Sequence, residues 1–335
     1  MKKILKKILK FTKFSIIAAI ALFIIFISVS VINNKIQLKK ESKILNPPGK
    51  LVEVNNKNIH VYSEGVGDLT CVFMSGLGNV APEIDLKPLY KEMSNEYRIA
   101  IVDRSGYGFS ESSNSPRDID TILDETRKSL TLAGEKPPYV LFPHSISGLE
   151  AIYWAQKYPS EVKAIIGLDI GFPEGYLMES ERMKSNLSIM KVQCLFAKLG
   201  VHRFLPSLSL DESVLNSNLI SEDDKEIYKA LTYKNLSSND IINEFALLID
   251  NSNKSNSLDL PSKTPICIFL ATPLTEEERL EKKDFIEGRF KYYNDYISKF
   301  EKGELITYEA KHSIYLYSPE NIANKSKDFL KSIDN

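Results

Sequence analysis

Residues 142–169 read FPHSISGLEAIYWAQKYPSEVKAIIGLD and contain the features that decide the fold. An apolar strand end leads into a cramped turn centred on Ser145, a helix follows, and a second apolar strand ends at Asp169. A turn between a strand and a helix lifts its central side chain clear of the carboxyl edge of a sheet. The helix start also directs free backbone N–H groups and its positive dipole end at the space above that side chain. Ser145 is therefore a candidate nucleophile.

Apolar runs of strand length alternate with amphipathic helical stretches on both sides of this unit. Such alternation predicts a mainly parallel α/β sheet that is covered by helices on both faces. Residues 51–65 predict a hairpin, which adds an antiparallel edge. Residues 172–261 have helical periodicity without a convincing strand, and they predict a helical cap inserted over the sheet. The predicted strands are residues 70–74, 97–103, 139–142, 162–169, 265–271 and 304–310.

The N-terminal segment has the composition of a membrane anchor. Residues 14–32 form an uncharged apolar run, about the length that crosses a bilayer as a helix. Residues 1–13 carry lysines and no acidic residue, which predicts a cytoplasmic N-terminus, a single pass through the cell membrane and an extracytoplasmic remainder. A cleaved signal peptide is the alternative, because SVS at 28–30 is a weak small-x-small cleavage site. Residues 33–50 are polar, end in Pro-Pro-Gly, and predict a linker.

The amino-acid composition excludes several classes of protein. The chain has 335 residues, 43% hydrophobic and 26% charged, which fits a large globular domain and excludes a disordered or fibrous protein. Outside the N-terminal lysines acidic residues outnumber basic ones, so nothing predicts a nucleic-acid partner. Three scattered cysteines are too few for a disulfide framework or a zinc knuckle and are expected in the core.

Four motifs resemble the α/β-hydrolase family. PHSISG (143–148) is similar to the family's nucleophile elbow, G-x-S-x-G. MSGLGNV (74–80) is similar to its oxyanion loop, DRSGYGFS (103–110) to its loop after the fourth strand, and AKHSIYLYSPENIANKSKDFL (310–330) to its last strand, catalytic histidine and last helix. The motifs occur in the family's order, which makes the resemblance specific.

The resemblance covers residues 51–171 and 262–333. It implies an α/β-hydrolase core formed by 51–171 and 262–335, with residues 172–261 as a cap or lid. Three positions depart from the family pattern: Pro143 and Ser147 stand where the elbow usually has glycines, and Ser75 replaces the usual histidine of the oxyanion loop.

The resemblance also implies roles for individual residues. A serine hydroxyl is a poor nucleophile without a base in hydrogen-bond reach, and His312 stands where the family has that base. The backbone N–H groups of Leu77 and Ile146 are the expected oxyanion donors. Gly76 and Gly148 are expected to support these turns. The other histidines, His60, His144 and His202, are predicted to be structural.

In a catalytic triad a third residue, an acid, orients the base. The sequence defines this acid less closely than it defines the nucleophile and the base. Most of the family places it after the strand predicted at 265–271, where Leu274 aligns with the usual aspartate. A second family arrangement places it at the end of the preceding strand, the position of Asp169. We predict Asp169 as the acid. Glu276 or Glu277 is the alternative, because a strand-end aspartate commonly caps the next turn.

These resemblances imply acyl transfer from Ser145 to water, with a carboxylic ester as the expected substrate class. No metal or organic cofactor is expected. The dehalogenase and epoxide-hydrolase branches of the family have a carboxylate in place of the serine. Amide hydrolysis, acyl transfer to an alcohol, and small-ligand binding with little turnover are the alternatives. The expected partners are a small-molecule acyl substrate and the lipid bilayer; the oligomeric state is not predicted.

Overall fold

A computed structural model describes residues 2–113 and 115–334, so Met1 and Asn335, at the ends of the predicted segments, lie outside the described residues. Within these residues the core is a sheet of eight strands in the spatial order β1-β2-β4-β3-β5-β6-β7-β8. The strands are β1 Lys50–Val54, β2 Lys57–Glu64, β3 Thr70–Met74, β4 Arg98–Val102, β5 Tyr139–Pro143, β6 Val162–Leu168, β7 Ile266–Thr272 and β8 Gly303–Glu309.

The direction of the strands follows the sequence pattern. The β1–β2 hairpin and the β2–β4 pair are antiparallel, and the remaining pairs are parallel. Every residue of β3 and of β5 is buried, which explains why these central strands are continuous apolar runs. The predicted mainly parallel α/β sheet with an antiparallel edge is therefore confirmed.

Helices cover both faces of the sheet. One buried cluster joins the sheet to α4, α5 and α13, and a second joins the opposite face to α2, α3 and α14. Helices α6 to α11 lie in the segment predicted as a cap. The helices are α1 Lys2–Glu41, α2 Pro82–Asp85, α3 Lys87–Met93, α4 Ile119–Ala133, α5 Ser147–Lys157, α6 Pro173–Met178, α7 Ser180–Lys198, α8 Glu212–Leu215, α9 Glu222–Asn235, α10 Asn239–Ala246, α11 Leu248–Asn256, α12 Glu276–Glu281, α13 Lys283–Ile297 and α14 Pro319–Asp334.

Short 3₁₀ turns complete the chain. They are Pro159–Glu161, Val201–Phe204, Pro206–Leu208 and Ile314–Leu316.

Helix α1 is one continuous helix of 40 residues. Among the described residues it is the one helix long and apolar enough to cross a membrane. The segment predicted as a linker, residues 33–50, is helical in its first part, because α1 continues to Glu41. The cause is tertiary: Asn34 is buried against the cap, and Glu41 forms an ion pair with Arg203. Contacts of this kind, between residues far apart in the chain, cannot be predicted from the local sequence pattern.

Candidate active site

The turn that carries Ser145 is strained and tightly held. Ser145 has a φ of 57°, a left-handed conformation that is uncommon outside glycine. The hydroxyl of Ser147 donates to the carbonyl oxygen of Met74 at 3.0 Å and accepts from the amide of His144 at 2.8 Å. Ser147 therefore ties the turn to β3, which gives this departure from the glycine pattern a structural reason.

Gly148 allows the start of α5 to approach the end of the next strand. A Cβ atom at this position would lie 2.5 Å from the carbonyl oxygen of Gly171, too close for any side chain. The amide of Gly171 in turn donates to the carbonyl oxygen of Ser145 at 3.0 Å. The predicted supporting role of Gly148 thus has a steric basis.

His312 and Asp169 lie in direct contact. His312 Nδ1 is 2.6 Å from Asp169 Oδ2. Asp169 follows the end of β6, is buried, and like Ser145 has a left-handed backbone, with a φ of 51°. Glu276 and Glu277 are exposed at the start of α12. Of the three candidate acids, Asp169 is the one that contacts the histidine.

The second oxygen of Asp169 is also occupied. Asp169 Oδ1 accepts from the amide of Ala271 at 2.8 Å and from Arg289 Nη2 at 2.7 Å. Burial alone raises the pKa of this carboxyl, but the hydrogen bond from His312 and the charge of Arg289 outweigh burial and lower the pKa below its usual value. Asp169 is therefore a carboxylate at neutral pH, and it fixes a proton on His312 Nδ1. Arg289, from α13, was missed by sequence reasoning, and no motif marks it.

The imidazole of His312 is accessible. Its side chain is 55% exposed. Within the described residues no hydrogen bond joins it to the hydroxyl of Ser145. Catalytic hydrogen bonds are often long without substrate and tighten in the substrate complex, so this geometry leaves Nε2 free to act as a base.

His144 holds the backbone of His312 in position. His144 Nε2 is 3.1 Å from the carbonyl oxygen of His312, and the two rings lie 4.6 Å apart between centroids. Burial, and secondarily the charge of His312, lower the pKa of His144 to about 3. A neutral His144 therefore donates its Nε2 proton to that carbonyl. The ring is structural, as predicted, but it acts on the base.

The backbone amides of Leu77 and Ile146 are the oxyanion donors that the resemblance implies. In the described part of the chain the amide N–H groups of Leu77 and Ile146 have no hydrogen-bond partner. A Cβ atom on Gly76 would lie 3.1 Å from Ser145 Cβ and 2.9 Å from His144 Nδ1. Only glycine fits there without displacing its neighbours, so the segment 74–80, which is similar to the family's oxyanion loop and is given that name here, approaches Ser145 closely.

Arg104 holds the oxyanion loop from the core side. Its Nη2 donates to the carbonyl oxygens of Ser75 and Gly76 at 2.7 and 3.0 Å. Its Nη1 lies 2.9 Å from Glu244, a residue of the cap, and 3.7 Å from Glu150. Arg104 belongs to the DRSGYGFS motif, which was the only sequence clue to its position.

The two remaining histidines lie in structural environments. His60 is buried, with Nδ1 2.8 Å from Asp103 and Nε2 accepting from the amide of Gly49 at 3.1 Å. His202 is buried in the cap, where its ring lies 5.2 Å from that of Tyr233.

An open groove of about 980 Å³ runs alongside the histidine and the acid. Asp169 and His312 line one side of it. The apolar residues on its walls include Leu274, Phe285, Ile286 and Phe290.

Comparison with known proteins agrees with this architecture. A family model described as alpha/beta hydrolase fold matches residues 75–188. The chain is 40% identical over 332 residues to the uncharacterized protein YbdG of Bacillus subtilis strain 168, a match that covers 99% of each chain. The chain belongs to the alpha/beta hydrolase fold family. Its match to YbdG includes the N-terminal helix and the cap.

Solved structures of the same fold include enzymes of different chemistry. A candidate lipase, Lip1, from Acinetobacter baumannii AYE has a TM-score of 0.61 and 16% identity, with 90% of this chain and 96% of that chain covered. Epoxide hydrolase VrEH1 from Vigna radiata has a TM-score of 0.61 and 19% identity, with 84% and 97% covered. These similarities establish the fold.

Proposed function

We propose that this alpha/beta hydrolase fold protein is a serine hydrolase that cleaves carboxylic esters. His312 takes the proton of Ser145, the serine oxygen attacks the ester carbonyl, and the amides of Leu77 and Ile146 hold the oxyanion. His312 then gives its proton to the leaving alcohol, and water releases the acid from the acyl-enzyme. Asp169 keeps the imidazole in the tautomer that this sequence requires. The hydrogen bond between His312 and Asp169 is the observation that carries the proposal.

The serine in the elbow favours ester chemistry over the reactions of other branches. Haloalkane dehalogenases and epoxide hydrolases appear among the structural neighbours. In both of those branches of the family a carboxylate stands at the nucleophile position. Ser145 offers a hydroxyl instead. The groove beside His312 has apolar walls, but Ser145 is not among the residues that line it, so the groove does not define the acyl group.

Labelling of the full-length protein in detergent with a fluorophosphonate probe tests the nucleophile. The probe reacts with a serine only when a base activates it. Wild type and the control Ser298→Ala, an exposed residue at the end of α13, should be labelled. Ser145→Ala and His312→Ala should not. A folded wild type that resists the probe contradicts the proposal.

Turnover separates a hydrolase from a binding protein of the same fold. We expect repeated hydrolysis of short-chain nitrophenyl esters and loss of it in Ser145→Ala. Labelling of Ser145 without multiple turnover on any ester would favour a binding protein. Product analysis with added alcohol distinguishes transfer to an acceptor from hydrolysis.

We further propose that α1 is retained as a single-pass anchor, with the N-terminus in the cytoplasm. Burial of Ser30 against the cap supports this, because cleavage after SVS (28–30) would remove Ser30 and with it the hydrogen bond from its hydroxyl to the carbonyl oxygen of Leu199. The intact mass of protein extracted from membranes tests it. We expect the full-length mass; a mass that lacks residues 1–30 contradicts retention.

A further inference from the structure

The cap is attached directly to α1, at the level of the apolar run. The ring of Phe26 lies 5.4 Å from the ring of Phe204, and the hydroxyl of Ser30 donates to the carbonyl oxygen of Leu199 at 2.7 Å. Gly200 permits this approach. It has a φ of 76°, and a Cβ atom on it would lie 2.6 Å from Asn34 Cβ.

A buried charge fixes the position of the cap along the helix axis. Arg203 donates from Nε to Asn34 at 2.6 Å, and from Nη1 and Nη2 to the two carboxylate oxygens of Glu41 at 2.6 and 2.7 Å. Its side chain is only 7% exposed. A bidentate pair of this kind has a defined geometry, so the cap cannot slide along α1 without leaving a buried charge unpaired.

This attachment sets the depth of the cap relative to a bilayer. Phe26 lies six residues before Ile32, where the apolar run of 14–32 ends. At about 1.5 Å per residue the contact with Phe204 is roughly 9 Å inside that end. When α1 spans the membrane, the 3₁₀ turns that follow α7 therefore reach the level of the lipid acyl chains.

The surface of the cap next to this contact is apolar and exposed. Helix α7 buries one side against the rest of the cap through Met183, Cys194 and Ala197. Its opposite side is also apolar, a pattern that is unusual for a helix facing water. The exposed apolar residues of α7 and the following turns, here named the cap membrane face, are Ile189, Val192, Leu195, Phe196, Phe204, Leu205 and Leu208.

Lysines border this face on α7. Lys184, Lys191 and Lys198 recur every seven residues, so they lie in one row along the helix, and all three are exposed. A row of lysines beside an apolar face is typical of segments that lie in a membrane interface, where the ammonium groups reach the headgroups.

We propose that the cap membrane face inserts into the acyl-chain region of the leaflet on the catalytic-domain side, as a second membrane contact beside α1. The apolar side chains then bury their surface in lipid, and the lysine row meets the phosphate headgroups. Continuity with the membrane-spanning helix, through Phe26 and Phe204, selects a bilayer as the occupant of this surface over a second protein.

Contact quenching by brominated acyl chains tests the proposal with the full-length protein in phosphatidylcholine nanodiscs. The single tryptophan of the chain, Trp154, is fully buried and supplies a constant background. Leu208→Trp and Leu195→Trp place a reporter at two exposed positions on the face. Phe23→Trp, within the apolar run, is the positive control, and Val66→Trp, exposed in the β2–β3 loop, is the matched negative control.

We expect brominated lipid to quench the added emission in Leu208→Trp, Leu195→Trp and Phe23→Trp and to leave Val66→Trp unchanged. Two reporter positions are used so that a variant that fails to fold does not end the test. Quenching of Phe23→Trp without quenching of either folded cap variant overturns the proposal. Absence of quenching in both folded cap variants, together with reporter emission that changes with the protein-to-lipid ratio, would instead assign the face to a second copy of the chain, and this result also overturns the proposal.

Discussion

Arg104 Nη1 lies 2.9 Å from Glu244 Oε1, and both side chains are buried. Arg104 belongs to the loop after β4, whereas Glu244 is on α10 of the cap. The same guanidinium holds the carbonyl oxygens of the oxyanion loop. One buried ion pair thus connects the cap to the loop that contains Leu77, the proposed oxyanion donor.

Glu244→Gln should weaken both the fold and the site. Removal of one charge from a buried pair typically costs about 3–5 kcal/mol, and the nearby carboxylate of Glu150 should keep the loss toward the lower end. We expect a lower free energy of unfolding and slower fluorophosphonate labelling. Glu226→Gln, which breaks the solvent-exposed pair with Lys229 on the cap, is the matched control and should change both quantities little. Equal effects of the two substitutions would refute this role.

Asp169→Asn should abolish most turnover. An asparagine cannot keep the proton on His312 Nδ1, and the corresponding change in a serine protease triad lowers kcat by about 10⁴-fold. Hydrolysis of a nitrophenyl ester is the measurement. Glu276→Gln and Glu277→Gln should retain nearly wild-type rates, since both side chains are exposed on α12. The reverse pattern would reassign the acid.

Gly76→Ala should reduce the rate with a smaller effect on folding. The new methyl group would press on His144 and Ser145 and displace the Leu77 amide. Loss of one oxyanion donor typically costs about 10²–10³-fold in kcat. Gly288→Ala in α13 is the matched control, because no atom lies within 4 Å of its Cβ position. A Gly76→Ala enzyme with wild-type kcat would contradict the assignment of this loop.

His144 should make stability depend on pH. The unfolded chain binds a proton at this residue near its ordinary pKa of 6.5, whereas the folded chain does so only near 3. Between these values the unfolded state holds more protons, so stability falls as the pH is lowered, by up to about 1.4 kcal/mol per pH unit. Denaturant unfolding in detergent from pH 7 to 4 should show a steeper loss for wild type than for His144→Gln. Equal slopes would contradict a buried neutral ring.

The strands of the sheet could be predicted because each one corresponds to a short apolar run that is visible in the local sequence. The predicted strands, such as 70–74, are present with their ends shifted by at most one residue. Asp169 and His312 were expected to act together and lie in hydrogen-bond contact. That expectation came from the resemblance to the α/β-hydrolase family. The contact is possible because strand ends in a parallel sheet meet at one edge.

The parts that sequence reasoning missed depend on long-range contacts. Arg289 reaches Asp169 from α13, and Glu244 reaches Arg104 from the cap, over separations of more than a hundred residues. A charged residue on a helix is usually solvated, so nothing local distinguishes these two. The extension of α1 beyond Ile32 has the same origin, because its last turns are polar and gain their partner only when the cap folds against them.

The Arg203–Glu41 pair also bears on how a soluble version of the protein should be designed. Deletion of the N-terminal segment up to residue 45 would remove both partners of Arg203 and uncover Leu199, Gly200 and Phe204 together. Such a fragment would expose apolar surface and leave the Arg203 guanidinium without its partners, and we expect it to aggregate. A better design keeps residues 30–41 as a polar-faced helical stub and replaces exposed leucines of the cap with hydrophilic side chains.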